Sequence, residues 1–196
     1  MSASPKVYLA GPDVFEPQAI ERGEHLKVLC SKYGLTGLFP LDNMIETSSP
    51  GSIAHAAAIR TANMLLISSC DAILANMTPF RGPSMDVGTA YEMGAGAALG
   101  KLVIGYTTDG GKPYFEKVAK VHTVERAEDG HLRDEGGMSV EEFGAKEGGL
   151  VDNLMLSCGI DKLCLSEEEG LLAIAAILKE KNKGWESRQG EISNPI

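Results

Sequence analysis

The sequence predicts an α/β protein built on a doubly wound, mostly parallel five-stranded sheet with helices on both faces. Three observations carry this. Short apolar runs bounded by turn residues recur five times, helix-forming stretches separate most of them, and the two alternate as in successive βαβ units. At 196 residues, one domain spanning 1–196 around a single sizeable core is expected.

The first run, "KVYLA" at 6–10, ends at "GPD" and reads as a buried strand stopped by turn residues. "PQAIERGEHLKVLCSKYG" follows as a helix, with Pro17 suited to a first turn and Gly34 to a stop. Ile20, Gly23, Leu26, Cys30 and Tyr33 fall on one face of it. "LTGLFP" (35–40) is the second strand, leading to a loop with "LDN" at 41–43. "SIAHAAAIRTANMLLISS" (52–69) is a helix feeding the third strand, "DAILAN" (71–76). A Gly/Pro/Ser-rich loop then opens a small-residue helix through about Leu99, and "KLVIGYT" is the fourth strand. Residues 108–149, rich in Gly, Glu and Lys with weak periodicity, read as long loops holding one short element. "DKLCLS" is the last strand. Ser166 with Glu169 forms a capping box ahead of "GLLAIAAILKEKNKG". No repeat or linker interrupts this flavodoxin/Rossmann-like order. Such sheets bind ligands at the carboxyl ends of their strands. That edge would gather residues 8–13, 42–43, 76–86 and the start of the 87–99 helix.

Composition narrows the function. The chain is 43% hydrophobic and 23% charged, ordinary for a globular protein. Its net charge of −9 argues against nucleic acid or an anionic membrane as partner. The N-terminus lacks a signal-like apolar run and "GLLAIAAIL" is too short to span a bilayer, so a cytoplasmic location is expected. Cysteines 30, 70, 158 and 164 have no CxxC spacing and read as buried free thiols. The four histidines show no paired spacing. Neither a metal nor an organic cofactor is expected.

The stretch "FRGPSMDVGTAYEMG" (80–94) carries the chemistry. In a helix from 87, Gly88, Thr89, Ala95 and Gly96 flank Glu92. Each interior glycine costs about 1 kcal/mol relative to alanine, which implies close approach by another body. One reading packs "GAGAALG" tightly on the sheet; the other leaves open space beside a recessed carboxylate, suited to a nucleophile or to stabilising a cation. Asp86, six residues earlier, shares a pocket with Glu92 only from the loop, since six helical residues turn through about 600°. Its alternative role is a helix N-cap. No GxGxxG, GxxxxGK[ST] or GxSxG pattern is present, and Arg81 reads as a solvated loop residue.

"VYLAGPDVF", "YGLTGLFPLDN", "ANMLLISSCDAILANMTPFRGPSMDVGTAYEMGAGAALGKLVIGYT" and "VDNLML" together resemble the nucleoside 2-deoxyribosyltransferases. The resemblance implies exchange of 2-deoxyribose between 2′-deoxynucleosides and free nucleobases by double displacement, as in retaining glycosidases. It implies Glu92 as nucleophile, Tyr8 as the residue that orients it, and Asp86 as the holder of the 5′-hydroxyl. Asn153 matches a residue that the family inserts from a neighbouring subunit, which implies a homo-oligomer. Where one bacterial form has an aspartate near the leaving base, this chain has Asn63. The segment from Gly11 to 15, or Asp42 and Asn43, are candidates for contact with the base. Relatives that hydrolyse 2′-deoxynucleoside 5′-monophosphates, and a non-catalytic sensor, are the alternative readings. Asp86 would repel a phosphate and so favours nucleosides.

Overall fold

In the computed structural model, residues 3–43, 45 and 49–192 are described, 182–192 by backbone only. The strands are β1 (Lys6–Ala10), β2 (Thr36–Leu38), β3 (Ala72–Asn76), β4 (Leu102–Tyr106), β5 (Val124–Arg126), β6 (Leu132–Asp134) and β7 (Lys162–Cys164). The helices are α1 (Ala19–Lys32), α2 (Ile53–Ser69), α3 (Val87–Ala98), α4 (Tyr114–Val118), α5 (Leu154–Ser157) and α6 (Glu167–Ile192). Five strands form one wholly parallel sheet in the order β2-β1-β3-β4-β7. This is the flavodoxin-like α/β sheet that the alternation of elements predicts.

The period of two along each strand sorts the core into two layers. Val7, Leu9, Ala72, Leu74, Leu102 and Ile104 face α1 and α6, meeting Leu26, Cys30, Leu171 and Ile174. Tyr8, Ala10, Ile73, Ala75 and Val103 face the other way, toward Ile67 of α2 and Met93 of α3. A one-residue slip in register would exchange the two sets. Each buried Leu or Ile contributes about 1.5–3 kcal/mol, so the register that buries both sets wins. Tyr8 therefore points into the α2–α3 layer because it sits between Val7 and Leu9.

Several local expectations are revised. Pro17 precedes α1 instead of opening it, and Ile20 is 62% exposed because the buried face runs through Ala19, Gly23, Leu26 and Cys30. At Gly23 an added Cβ would lie 2.4 Å from the ring of Phe39, so the glycine lets α1 close on that ring. Ser166 Oγ accepts from the Glu169 amide at 3.2 Å, while the Glu169 carboxylate takes the Leu165 N–H at 2.9 Å. Residues 108–149 hold more structure than their composition suggests: α4, and a β5–β6 antiparallel hairpin. Cys30, Cys70 and Cys164 are buried free thiols, whereas Cys158 is exposed. No helix among the described residues is long and apolar enough to cross a membrane.

The carboxyl ends of β1 and β3, where strand order reverses, are bridged by polar side chains. Asp13 accepts from Arg22 Nε at 2.8 Å and from Asn76 Nδ2 at 3.3 Å, and the Arg22 Nη atoms donate to Glu167. Gly11 is buried beneath this network; a Cβ there would lie 2.2 Å from Asp13 Oδ2 and 3.0 Å from Asn76 Cβ.

Candidate active site

Tyr8 is fully buried on β1, and its hydroxyl donates to Glu92 Oε1 at 2.5 Å. Glu92 lies in the second turn of α3, on the side that faces α2. Its carboxylate borders a cavity of about 390 Å³ lined by Ala56, Ile59, Arg60, Asn63, Met64, Gly88 and Tyr91 as well. That volume is within the range of small-molecule sites. Two helices thus make the walls, and small side chains at 56 and 88 leave the space between them.

The electrostatics suit a carboxylate that works near neutral pH. Burial pushes Glu92 up to about 7 from an ordinary 4.5, the Tyr8 bond pulls it down, and the nearby negative charge of Asp86 adds to the rise. Burial, reinforced by the Glu92 charge, pushes the Tyr8 phenol up as well, so Tyr8 stays a donor. A short charge-assisted O–H···O⁻ bond fixes which carboxylate oxygen faces the phenol and leaves the other free. Desolvation raises the energy of the ionised form, which favours bond formation at an electron-poor carbon.

The small residues around Glu92 have two separate causes. Gly96 faces the sheet, where an added Cβ would lie 2.0 Å from Ile73 Cδ1, so it serves packing. Gly88 lines the cavity, and a Cβ there would stand 3.0 Å from Asp86 Oδ2. Asp86 is the N-cap of α3: its Oδ2 accepts from the Thr89 amide at 2.9 Å and the Thr89 hydroxyl at 3.0 Å. It is thus a cap whose charge is felt at Glu92, while its side chain is not among those lining the cavity.

Asn63 lies on the cavity wall with its Oδ1 buried and without a hydrogen-bond partner. Such an acceptor is satisfied by an N–H or O–H of a ligand. Asp42 and Asn43 are elsewhere. Asp42 Oδ2 caps the Phe39 N–H at 2.9 Å and its Oδ1 accepts from Lys27 Nζ at 2.7 Å, so both oxygens are committed to structure. Gly11 lies under the Asp13 network and Asn43 ends the short turn of residues 40–42; neither lines the cavity. Asn153 is the N-cap of α5, accepting from the Met155 amide at 3.0 Å and donating to Glu141 Oε1 at 2.6 Å. It borders a different, more polar cavity of about 220 Å³ with Pro83, Tyr114 and Glu141. Among the described residues, no group of three or more His, Cys, Asp and Glu is placed to hold a metal ion.

A family model described as nucleoside 2-deoxyribosyltransferase matches residues 7–155. The chain belongs to the nucleoside 2-deoxyribosyltransferase family. A solved 2-desoxiribosyltransferase from Leishmania mexicana is similar at 32% identity with a TM-score of 0.66, over 88% of this chain and 97% of that one. A conserved protein from Enterococcus faecalis V583 shares the fold, at 21% identity and a TM-score of 0.52, over 86% and 96% of the two chains. An uncharacterized Schizosaccharomyces pombe protein is 43% identical over 117 residues, which cover 58% of this chain and 54% of that protein. The aligned part thus spans about half the length of this curated relative.

Five of the residues lining the cavity, Ala56, Ile59, Arg60, Met64 and Tyr91, escaped the sequence reading. Arg60 Nη2 donates to the Tyr91 hydroxyl at 2.6 Å across the cavity rim, with its guanidinium 5.6 Å from that ring's centroid. Counting back from Asn63 at helical spacing would have found Arg60 and Ala56. A second group at the strand edge is aromatic. Phe15 stacks on Phe80 with centroids 5.6 Å apart, and Arg81, at a positive φ of 56°, lies over both rings. Arg81 is therefore engaged with the two rings instead of being merely solvated.

Proposed function

We propose that this protein transfers 2-deoxyribose from a 2′-deoxynucleoside to a second nucleobase, in nucleoside salvage, through a deoxyribosyl ester of Glu92. The observation that carries the reading is the Tyr8–Glu92 bond at the wall of a cavity of nucleoside size. The free Glu92 oxygen attacks C1′. The C1′–N bond breaks, its electron pair leaves with the base, and a C1′–O ester forms. A second base attacks C1′ through a ring nitrogen, its N–H proton is released, and the carboxylate is restored. Two inversions return the β configuration. Tyr8 holds the carboxylate in line and, by donating, stabilises its ionised form.

Asn63 accepts an N–H from the base, but its amide cannot protonate the leaving nitrogen, so that proton comes from water or from another group. Asp86 accepts from the 5′-hydroxyl, and Asn153 reaches the same hydroxyl in the site of a neighbouring copy of the chain. Phe15, exposed at the end of the 11–15 segment, supplies further contact with the base. Asp86, beside the reacting carboxylate, disfavours a phosphate of about −2 charge.

Incubation with 2′-deoxyinosine, with and without adenine, tests this by chromatography. Appearance of 2′-deoxyadenosine, abolished in Glu92→Ala, is the expected result. Hypoxanthine without 2′-deoxyadenosine would replace transfer by hydrolysis. No reaction with this pair, with pyrimidine donors or with 5′-monophosphates would favour a non-catalytic sensor.

A further inference from the structure

Asp152 is fully buried, yet it has no place in the chemistry above. Its Oδ2 accepts from the Met85 amide at 2.8 Å; its Oδ1 accepts from Ser84 Oγ at 2.5 Å and from the Asn153 amide at 2.8 Å. Its own N–H donates to Ser157 Oγ at 2.9 Å, and that hydroxyl donates back to the Asp152 carbonyl at 2.9 Å. A buried carboxylate is costly unless hydrogen-bonded, and here three donors meet it. Two of these are backbone N–H groups immediately adjacent to residues of interest. Met85 precedes Asp86, and Asn153 caps α5.

We propose that Asp152 is a positioning residue that fixes Asp86 and Asn153 in one common frame. The proposal rests on the reading in which these two bind the 5′-hydroxyl, one in this subunit's site and one in its neighbour's. One carboxylate then sets half of the hydroxyl recognition in each of two sites. An amide cannot replace it. In Asp152→Asn, the new side chain turned one way sets its NH₂ against the Met85 N–H; turned the other way, it sets it against the Asn153 N–H. Either orientation releases one of the two arms.

The test compares kcat/KM for a 2′-deoxynucleoside with that for its 5′-deoxy analogue, in the parent, in Asp152→Asn and in Ser84→Ala. The parent should prefer the hydroxylated substrate. Asp152→Asn should lose about ten- to a hundredfold on that substrate, with less than about a twofold change on the 5′-deoxy analogue. Ser84→Ala keeps both backbone bonds and should show the same selectivity at about fivefold, which serves if Asp152→Asn does not fold. An equal fall on both substrates, or no change on either, overturns the proposal. A parent without preference refutes the hydroxyl-binding reading, and the proposal falls with it.

Assemblies of mixed subunits separate the arms. Asn153→Ala combined with Glu92→Ala should regain activity, because the intact Glu92 receives an intact Asn153 from its neighbour. Asp152→Ala, which removes both acceptors, combined with Glu92→Ala should regain clearly less, since its own Asp86 stays displaced. Equal recovery would remove the Met85–Asp86 arm, and no recovery in the first mixture would remove the neighbour's arm.

Discussion

Glutamine at position 92 keeps the side-chain shape and an acceptor for Tyr8 but cannot ionise, so it isolates the cost of the buried charge. The folded protein holds the Glu92 proton more tightly than the unfolded chain does, since its pKa is raised from 4.5 to about 7. Its contribution to stability is thus present in full below about pH 4.5 and lost as pH rises through about 7. The gap corresponds to about 3 kcal/mol, an upper value because the cavity admits solvent. At this chain length 1 kcal/mol moves Tm by about 2–4 °C, so Glu92→Gln should melt up to roughly 6–12 °C higher than the parent near pH 8. Near pH 4.5 the two should melt together. Calorimetric scans of both proteins across that range decide it. A difference that is constant with pH, or a variant less stable at pH 8, would refute a strained carboxylate. The same variant should retain less than about one-thousandth of the transfer rate.

The hydrogen bond and the charge around Glu92 predict opposite kinetic shifts. In a pH profile of kcat/KM, Tyr8→Phe should move the acidic limb upward, because it deletes the bond that favours the carboxylate. Asp86→Asn should move it downward, because it deletes the opposing charge; shifts in the same direction would contradict the arrangement. Gly96→Ala should cost about 1–3 kcal/mol in denaturant titration, from its contact with Ile73, at unchanged activity per folded molecule. Gly94→Ala faces open space and should be neutral or stabilising by up to about 1 kcal/mol. Phe15→Ala, which deletes half of the exposed stack, should raise the acceptor-base KM about tenfold if bases stack there. An unchanged KM assigns the pair to loop structure alone.

The sheet was legible because its strands are short apolar runs stopped by turn residues, and burial on both faces leaves little choice of register. Glu92 was legible because glycines inside a helix are costly and need a reason, though Gly96 and Gly88 turned out to have different ones. The far wall of the cavity was less so. Helix α2 is apolar nearly all round, so periodicity does not say which side meets α3, and Arg60 passed unnoticed. Asp42 failed as a ligand candidate on the cavity for a local reason: its capping bond to Phe39 and ion pair with Lys27 depend on where Pro40 turns the chain. The β5–β6 hairpin was missed because its strands are three residues long and rich in charge. Asp152 stands inside a quoted motif, yet its role depends on Ser84 and Met85, more than sixty residues away.

Only Ile67 of the seventeen residues of α2 is buried, although this helix supplies five of the eight residues around the cavity. Shape recognition and fold maintenance are thereby assigned to different parts of the chain. Substitutions at 56, 59, 60 and 63 can remodel the chamber while the strand layers beneath stay intact. Under the proposed transfer reaction, shifts in base preference among descendants of this sequence should accumulate on that one helix, and a library confined to it would explore new acceptors at little risk of unfolding.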